Sequence, residues 1–325
     1  MTNLRNEVFE GRGQSVLDAF VGRPPEELTF QEADAVCYAF ISLGLNYQAV
    51  DFAQQRVDAT YRDEDRLQLA WALKASSSFR EAEALLEVIC DPSLIGQTKA
   101  LKAVLRADLG DCENAMRMAL GVRPSVDNNL SLYVQLSVSN ACRDIEALSE
   151  VILEILETKD IDSALLTAAC YGALHTKDFE LVRRALALIP RGNRSPEVLC
   201  ARLHAAMKDR KYGEADIVAG LLSECLEAGS FLVAFHLGYY HMRFLRYKRA
   251  EGFLRTALEK TNDRGPVLQL LAEVLMMRGK LREAASLARE ATTLGQRSRR
   301  LRRTFVFSCT LSGRWRTAWR ALQKW

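Results

Sequence analysis

The chain has 325 residues, 49% of them hydrophobic and 26% charged, with a net charge of only +3. Nothing in it reaches the ~18–20 consecutive apolar residues that span a bilayer, and its first twenty residues lack the apolar run of a secretory signal. Eight scattered cysteines with no Cys-x-x-Cys pair do not make a disulfide frame at this length, so a reduced, cytoplasmic protein is expected.

The charge is unevenly spread. Residues 295–325 carry nine Lys and Arg and no Asp or Glu, which leaves 35 Lys and Arg against 41 Asp and Glu in residues 1–294. Such asymmetry hints at an anionic partner.

Residues 1–29 come before any regular pattern. Residues 14–21 are long enough for one helix, and Pro24 and Pro25 mark a break after it. The segment is either a cap on the rest of the chain or a separate arm.

From residue 30 the chain repeats itself. The blocks are 30–62, 63–95, 96–128, 129–162, 163–195, 196–230, 231–264, 265–298 and a short 299–325. The last three align without gaps. Leu237, Leu271 and Phe305 share a column, as do Gly238, Ala272 and Val306. Tyr247, Leu281 and Trp315 fill another, and three residues on come Ala250, Ala284 and Ala318. The pairing runs back through Tyr212–Ala215, Phe179–Val182, Ile145–Leu148, Cys112–Ala115 and Phe79–Ala82, with Ala49 before them.

Within each block apolar residues recur at helical spacing on both sides of a central turn, so two helices per block are predicted. Pro92, Pro124, Pro190, Pro196 and Pro266 fall at block boundaries, where proline does not interrupt a helix. Gly44, Gly110, Gly279 and Gly313 occupy one column inside the blocks, where a left-handed residue can end the first helix. Small residues suit close helix crossings. One block alone cannot bury its apolar face, so the blocks must stack into an all-α solenoid.

These columns resemble the tetratricopeptide repeat, over roughly residues 30–325. Steps of 33–35 residues and the small-residue columns fit it better than the RNA-binding pentatricopeptide repeat. The chain departs from the pattern where Ala234, Leu268 and Arg302 replace the early tryptophan, and where Leu148 and Val182 replace alanine. The resemblance implies about nine helix–turn–helix repeats in a right-handed superhelix. Its divisions would be a cap or arm at 1–29, eight repeats at 30–298 and a short basic final repeat at 299–325.

In that family the first helix of each pair lines a concave groove. The resemblance therefore places Trp71, Tyr133, Tyr171, His175, His204, Phe235, Tyr239, Met242, Met276 and Phe307 on the groove. Aromatic and methionine side chains suit peptide capture, though rings at helical spacing also build cores. Inward Lys and Asn, which the family uses to clamp a chaperone's C-terminus, are replaced here by Leu67 with Trp71 and Phe235 with Tyr239.

Enzyme chemistry is not visible. Phosphate loops and His-Glu-x-x-His are absent, and His236 and His241 are five apart, off a shared helix face. No cofactor or metal is expected. Cys37 and Cys170 read as small core residues, and Cys142 beside Arg143 is the one candidate reactive thiol. Asp63, Glu64 and Asp65 sit at a helix start and fit capping and the helix dipole.

The basic end reads as a ninth repeat. Trp315, Ala318 and Leu322 are expected on its buried face, with Arg314, Arg316 and Arg320 on the others. Arg297, Arg299, Arg300, Arg302 and Arg303 begin its first helix, where positive charge opposes the dipole. Trp319 and Trp325 leave apolar surface beside this charge. The end is either a solvating cap, a site for an acidic protein, a nucleic acid or an anionic membrane surface, or a stacking face for a second copy. A non-catalytic scaffold holding a partner peptide or helix is the leading functional expectation. The alternatives are an anion binder acting through the basic end and a peptide-sensing regulatory domain.

Overall fold

A computed structural model describes residues 4–20, 22–225, 231–261, 264–294, 296 and 298–324. Every regular element among them is helical. A four-residue helix α1 (Leu4–Glu7), a π-helical turn (Val8–Arg12) and α2 (Gly13–Phe20) come first. Then come α3 (Phe30–Ser42), α4 (Asn46–Thr60), α5 (Asp63–Ala75), α6 (Phe79–Glu87), α7 (Ile95–Asp108), α8 (Cys112–Val122), α9 (Asn128–Ala141) and α10 (Ile145–Glu157). The series continues with α11 (Ser163–Thr176), α12 (Phe179–Leu188), α13 (Pro196–Lys208), α14 (Tyr212–Glu224), α15 (Phe231–Arg243) and α16 (Tyr247–Lys260). It ends with α17 (Arg264–Met277), α18 (Leu281–Thr293), α19 (Arg299–Leu311) and α20 (Trp315–Lys324). The chain is an all-α stack of helix pairs, and it forms two compact units, residues 1–218 and 219–325.

One device ends the first helix of each pair. Gly44, Ser77, Gly110, Arg143, Lys177, Arg210, Leu245, Gly279 and Gly313 all have φ between +58 and +88°. At Gly110 the N–H donates to Ala107 O at 3.0 Å and the next N–H, of Asp111, to Arg106 O at 2.9 Å. The same two bonds recur at Leu245 (to Met242 O, 3.1 Å) and Arg246 (to His241 O, 2.9 Å). They satisfy carbonyls the helix end would otherwise leave bare. Glycine fills the position at the four expected sites. At the other five the fold imposes a left-handed conformation on a residue with a Cβ.

The small column is the crossing point. Ala49, Ala82, Ala115, Leu148, Val182, Ala215, Ala250, Ala284 and Ala318 are each at most 4% exposed. The column three residues earlier is different. Ile145, Tyr212 and Trp315 in it are exposed, because it opens the second helix at the rim of each pair. Trp315, expected on the buried face, is therefore corrected to a 66%-exposed residue. The side chain of Leu322 lies outside the described residues.

In residues 1–218 the first helices touch their successors all along the stack: α3–α5, α5–α7, α7–α9, α9–α11 and α11–α13. Among second helices such contact is found chiefly between α10 and α12. Closer first helices bend this unit with their faces on the inside. Its core runs through clusters around Leu101 and Leu105, Val104 and Val134, then Leu132, Ile152 and Leu165.

The start of this unit is locked by a buried ion pair. Arg56 on α4 donates to Asp65 on α5 at 2.5 Å, both about 1% exposed. Its guanidinium also donates to Pro25 O at 2.7 Å and Leu28 O at 2.8 Å, and Thr60 Oγ1 donates to Asp65 at 2.6 Å. The turn before α3 is thus tied to α4 and α5. A capping box between Thr29 and Glu32 starts α3.

In residues 219–325 one cluster joins α15 to α18 around Leu254, Leu271 and Val274, and another joins α17 to α20 around Leu268, Ala288 and Leu301. Glu251 on α16, 5% exposed, accepts from Lys280 at 2.7 Å, from Arg255 at 2.9 Å and from Arg278. Burial raises this carboxyl, but the three cationic donors outweigh it and hold the group at about 2.

Candidate functional site

In residues 1–218 the first helices α5, α9, α11 and α13 carry rings, and several of these meet. Trp71 on α5 and Tyr133 on α9 meet edge-to-face, their centroids 6.1 Å apart, across two helix pairs. Tyr171 and His175, one turn apart on α11, meet edge-to-face at 5.2 Å. His175 Nδ1 donates to Asn140 Oδ1 on α9. His204 on α13 is close enough for its ring to feel His175 electrostatically. The five expected groove residues of this unit thus form two groups, Trp71 with Tyr133 and Tyr171 with His175 and His204. Trp71, Tyr133, Tyr171 and His204 are half-buried and His175 is exposed.

Burial disfavours the charged form of the titratable groups here. Burial, reinforced by His175, pushes His204 down to about 4. One side of the His175 ring is desolvated against its neighbours while another edge stays exposed; that desolvation, and then the charge of Arg143, lower it. Burial raises the Tyr171 phenol, and it raises the Glu197 carboxyl on α13 against an opposing backbone hydrogen bond. Desolvation disfavours the charged form of each, so this surface suits an apolar or neutral segment better than an ionic one.

The N-terminal turn reaches the fifth helix pair. Val8–Arg12 contacts both α3 and α11. Val8, 2% exposed, packs with Val16 of α2 and with Ala35 and Ala39 of α3. At the other end Gly11, with φ +90°, lies against the backbone that joins Arg194 to Ser195. Only a residue without a Cβ fits there. Residues 1–29 are expected from sequence to be a cap or an arm; the described part is a strap from the first pair to the fifth. Nothing local to "VFEGR" signals this, because its second anchor is far along the chain.

In residues 219–325 the rings also sit on a first helix. Phe231 and Phe235 of α15 lie 5.8 Å apart, and with Tyr239 and Met276 they pack at the edge of the α15–α18 core. Met242, expected on the groove, is only 5% exposed and belongs to that core. Phe307 on α19 is 49% exposed. His241 stacks on Phe253 at 5.1 Å, and His236 meets Phe235 edge-to-face.

Of the expected basic patch, Arg299, Arg300, Arg303, Arg314, Arg316 and Arg320 are exposed and Arg302 is half-buried. Arg300 pairs with Glu273 at 2.8 Å. Arg297 and Trp325 lie outside the described residues.

Cys37 and Cys170 are buried, as expected of small core residues. Burial and then a hydrogen bond with Cys112 push the Cys142 thiol up to about 12, the opposite of what a reactive thiolate needs. Asp63 and Asp65 are also more than helix-start charges. Arg62 holds the cap position without a side-chain bond, while Asp63 accepts from the backbone N–H groups of Cys90 at 2.8 Å and Asp91 at 2.9 Å.

No protein-family model matches the chain, and no curated protein matches it. Among solved structures it is similar to the Cut9–Hcn1 hetero-tetramer of the APC/C, at 12% identity and TM-score 0.41, covering 97% of this chain and 82% of that one. It is similar to Naa15/Naa10 bound to HypK-THB at 13% identity and TM-score 0.32, covering 98% of this chain and 55% of the other. A human IFIT1 dimer with PPP-AAAA gives 14% identity and TM-score 0.48, covering 98% and 71%. Likeness at this level carries neither partner nor activity over to this chain. No helix among the described residues is long and apolar enough to cross a membrane.

Proposed function

We propose that the chain is a non-catalytic interaction scaffold that holds a segment of a partner protein along its first helices. The observation that carries this reading is the band of rings on the inside of residues 1–218, from Trp71 and Tyr133 to Tyr171, His175 and His204. Rings offer large contact area at small entropic cost. Burial disfavours a charge on His204 and on the Tyr171 phenol among them, which favours an apolar segment of the partner, helical or extended. The strap that ends at Gly11 also touches α11, the helix that carries Tyr171 and His175, so a partner either packs beside it or displaces it.

The reading takes the protein to work in the cytoplasm, on its composition. It is tested by affinity capture from native lysate with nuclease present, comparing the intact chain with His175→Glu. His175 is exposed, so a charge placed there changes the inner face without emptying the core. A defined protein captured by the intact chain and lost from the variant is the expected result. Equal capture by both forms would contradict the reading.

A further inference from the structure

The face formed by α19 and α20 carries charge that the fold does not use. Residues 219–325 hold 20 Lys and Arg against 8 Asp and Glu, and the positive excess is densest at this helix pair. Arg299, Arg303, Arg314, Arg316 and Arg320 are exposed, and no carboxylate among the described residues pairs with them. Helix stability does not explain Arg299, which stands in the first turn of α19, where the dipole disfavours cations.

The same face exposes flat apolar surface. Trp315 is 66% exposed and Trp319 63%, and neither indole has an aromatic or cationic partner among the described residues. Both lie on α20, one turn apart, a rise of about 6 Å. Arg316 and Arg320 form a second row with the same spacing beside them. Ala318, 4% exposed, marks the buried side of the helix. The two rows therefore run in parallel along the outer surface, rings in one and guanidinium groups in the other.

We propose that this face binds single-stranded nucleic acid, with bases stacking on Trp315 and Trp319 and phosphates held by Arg316 and Arg320. Stacking needs no particular base, because every base has a π-face. Arginine suits the track because its planar fork engages phosphate oxygens in pairs. An acidic peptide would match the charge but gives no use to two flat rings spaced one turn apart. A lipid surface calls for a broad apolar helix face, whereas the tryptophan row is one residue wide, with arginines on one side and the buried edge on the other. This binding is independent of the inner face of residues 1–218.

The test is fluorescence anisotropy of the full chain with a fluorescein-labelled twelve-nucleotide oligo(U) or oligo(dT), alongside a labelled poly-glutamate peptide and phosphatidylglycerol/phosphatidylcholine vesicles. Either oligonucleotide is expected to bind and to quench tryptophan fluorescence. Trp315→Ala/Trp319→Ala should weaken it by tenfold or more, given roughly 5- to 150-fold per stacked base. Arg316→Gln/Arg320→Gln should lower the slope of log K against log salt by about 1.4, since each phosphate contact contributes about 0.7 on single strands. All four side chains are exposed, so the variants retain the fold, which far-UV circular dichroism verifies. No binding of either oligonucleotide at low salt would overturn the proposal. So would unchanged affinity in the tryptophan variant, or binding confined to the vesicles or to the acidic peptide.

Discussion

A Cβ at Gly11 would lie 2.6 Å from the carbonyl carbon of Arg194 and 2.8 Å from the nitrogen of Ser195. Both neighbours are backbone, so neither can swing aside, and φ at Gly11 is +90°, a conformation costly for any residue with a side chain. The strap is thus held at the fifth helix pair by the absence of a side chain.

Gly11→Val should detach that end of the strap while leaving the helix pairs intact. Hydrogen exchange of the amides in residues 8–12 is expected to accelerate at least tenfold, about 1.4 kcal/mol of lost local stability. The α9 and α10 amides should keep their protection. Unchanged exchange at 8–12 would show that the contact with Arg194 does not hold the strap.

The left-handed turn position supplies a second prediction. Leu245 adopts φ +58° while 70% exposed, whereas Gly279 meets the same requirement at +75° without a side chain. Gly279→Ala should cost about 1 kcal/mol. Leu245→Gly should be neutral or gain up to about 1 kcal/mol, because relief of strain competes with a more flexible unfolded chain. Thermal unfolding of the two variants measures both, and a clear loss on Leu245→Gly would mean the turn is not strained.

Arg56 and Asp65 make a third. Arg56→Met leaves the Asp65 carboxylate buried and the carbonyls of Pro25 and Leu28 without their donor. Breaking one side of a buried pair costs about 3–5 kcal/mol. The double variant Arg56→Met/Asp65→Leu should recover part of that loss, read from urea midpoints. Equal loss in single and double variants would place the cost in the carbonyls rather than in the stranded charge.

Acid should act on His204. Its folded pKa, about 4, lies below the ordinary histidine value of 6.5, so between those values the unfolded chain binds the extra proton. The contribution of the neutral ring is complete above about 6.5 and is lost as pH falls toward 4. Glu197, raised by burial, works in the opposite sense, so the comparison must be with His204→Phe in the same background. The stability difference between wild type and variant should shift against the wild type across that window. A pH-independent difference would place the ring in solvent.

Much of this fold is legible in the sequence, for physical reasons that differ along the chain. The period is visible because two helices cross closely only at a small side chain, and that column, from Ala49 to Ala318, is buried throughout. The left-handed turns are visible only where glycine fills them; Ser77, Arg143, Lys177, Arg210 and Leu245 adopt the same geometry under tertiary constraint and give no local sign. Trp315 departs from expectation because helical spacing fixes a face but not whether the rim of that face is covered. Trp71 meeting Tyr133 agrees with the repeat phase, while the strap at Gly11 depends on a contact remote in sequence.

The central claim is that the inner face of residues 1–218 holds a protein partner. Its most direct test is photo-crosslinking in the native cell with p-benzoylphenylalanine placed at His175, compared with the same group at Leu120, which is 65% exposed on the second helix α8. A discrete crosslinked protein from position 175 and none from position 120 is the predicted result. No adduct at position 175, or the same adducts from both positions, would contradict it.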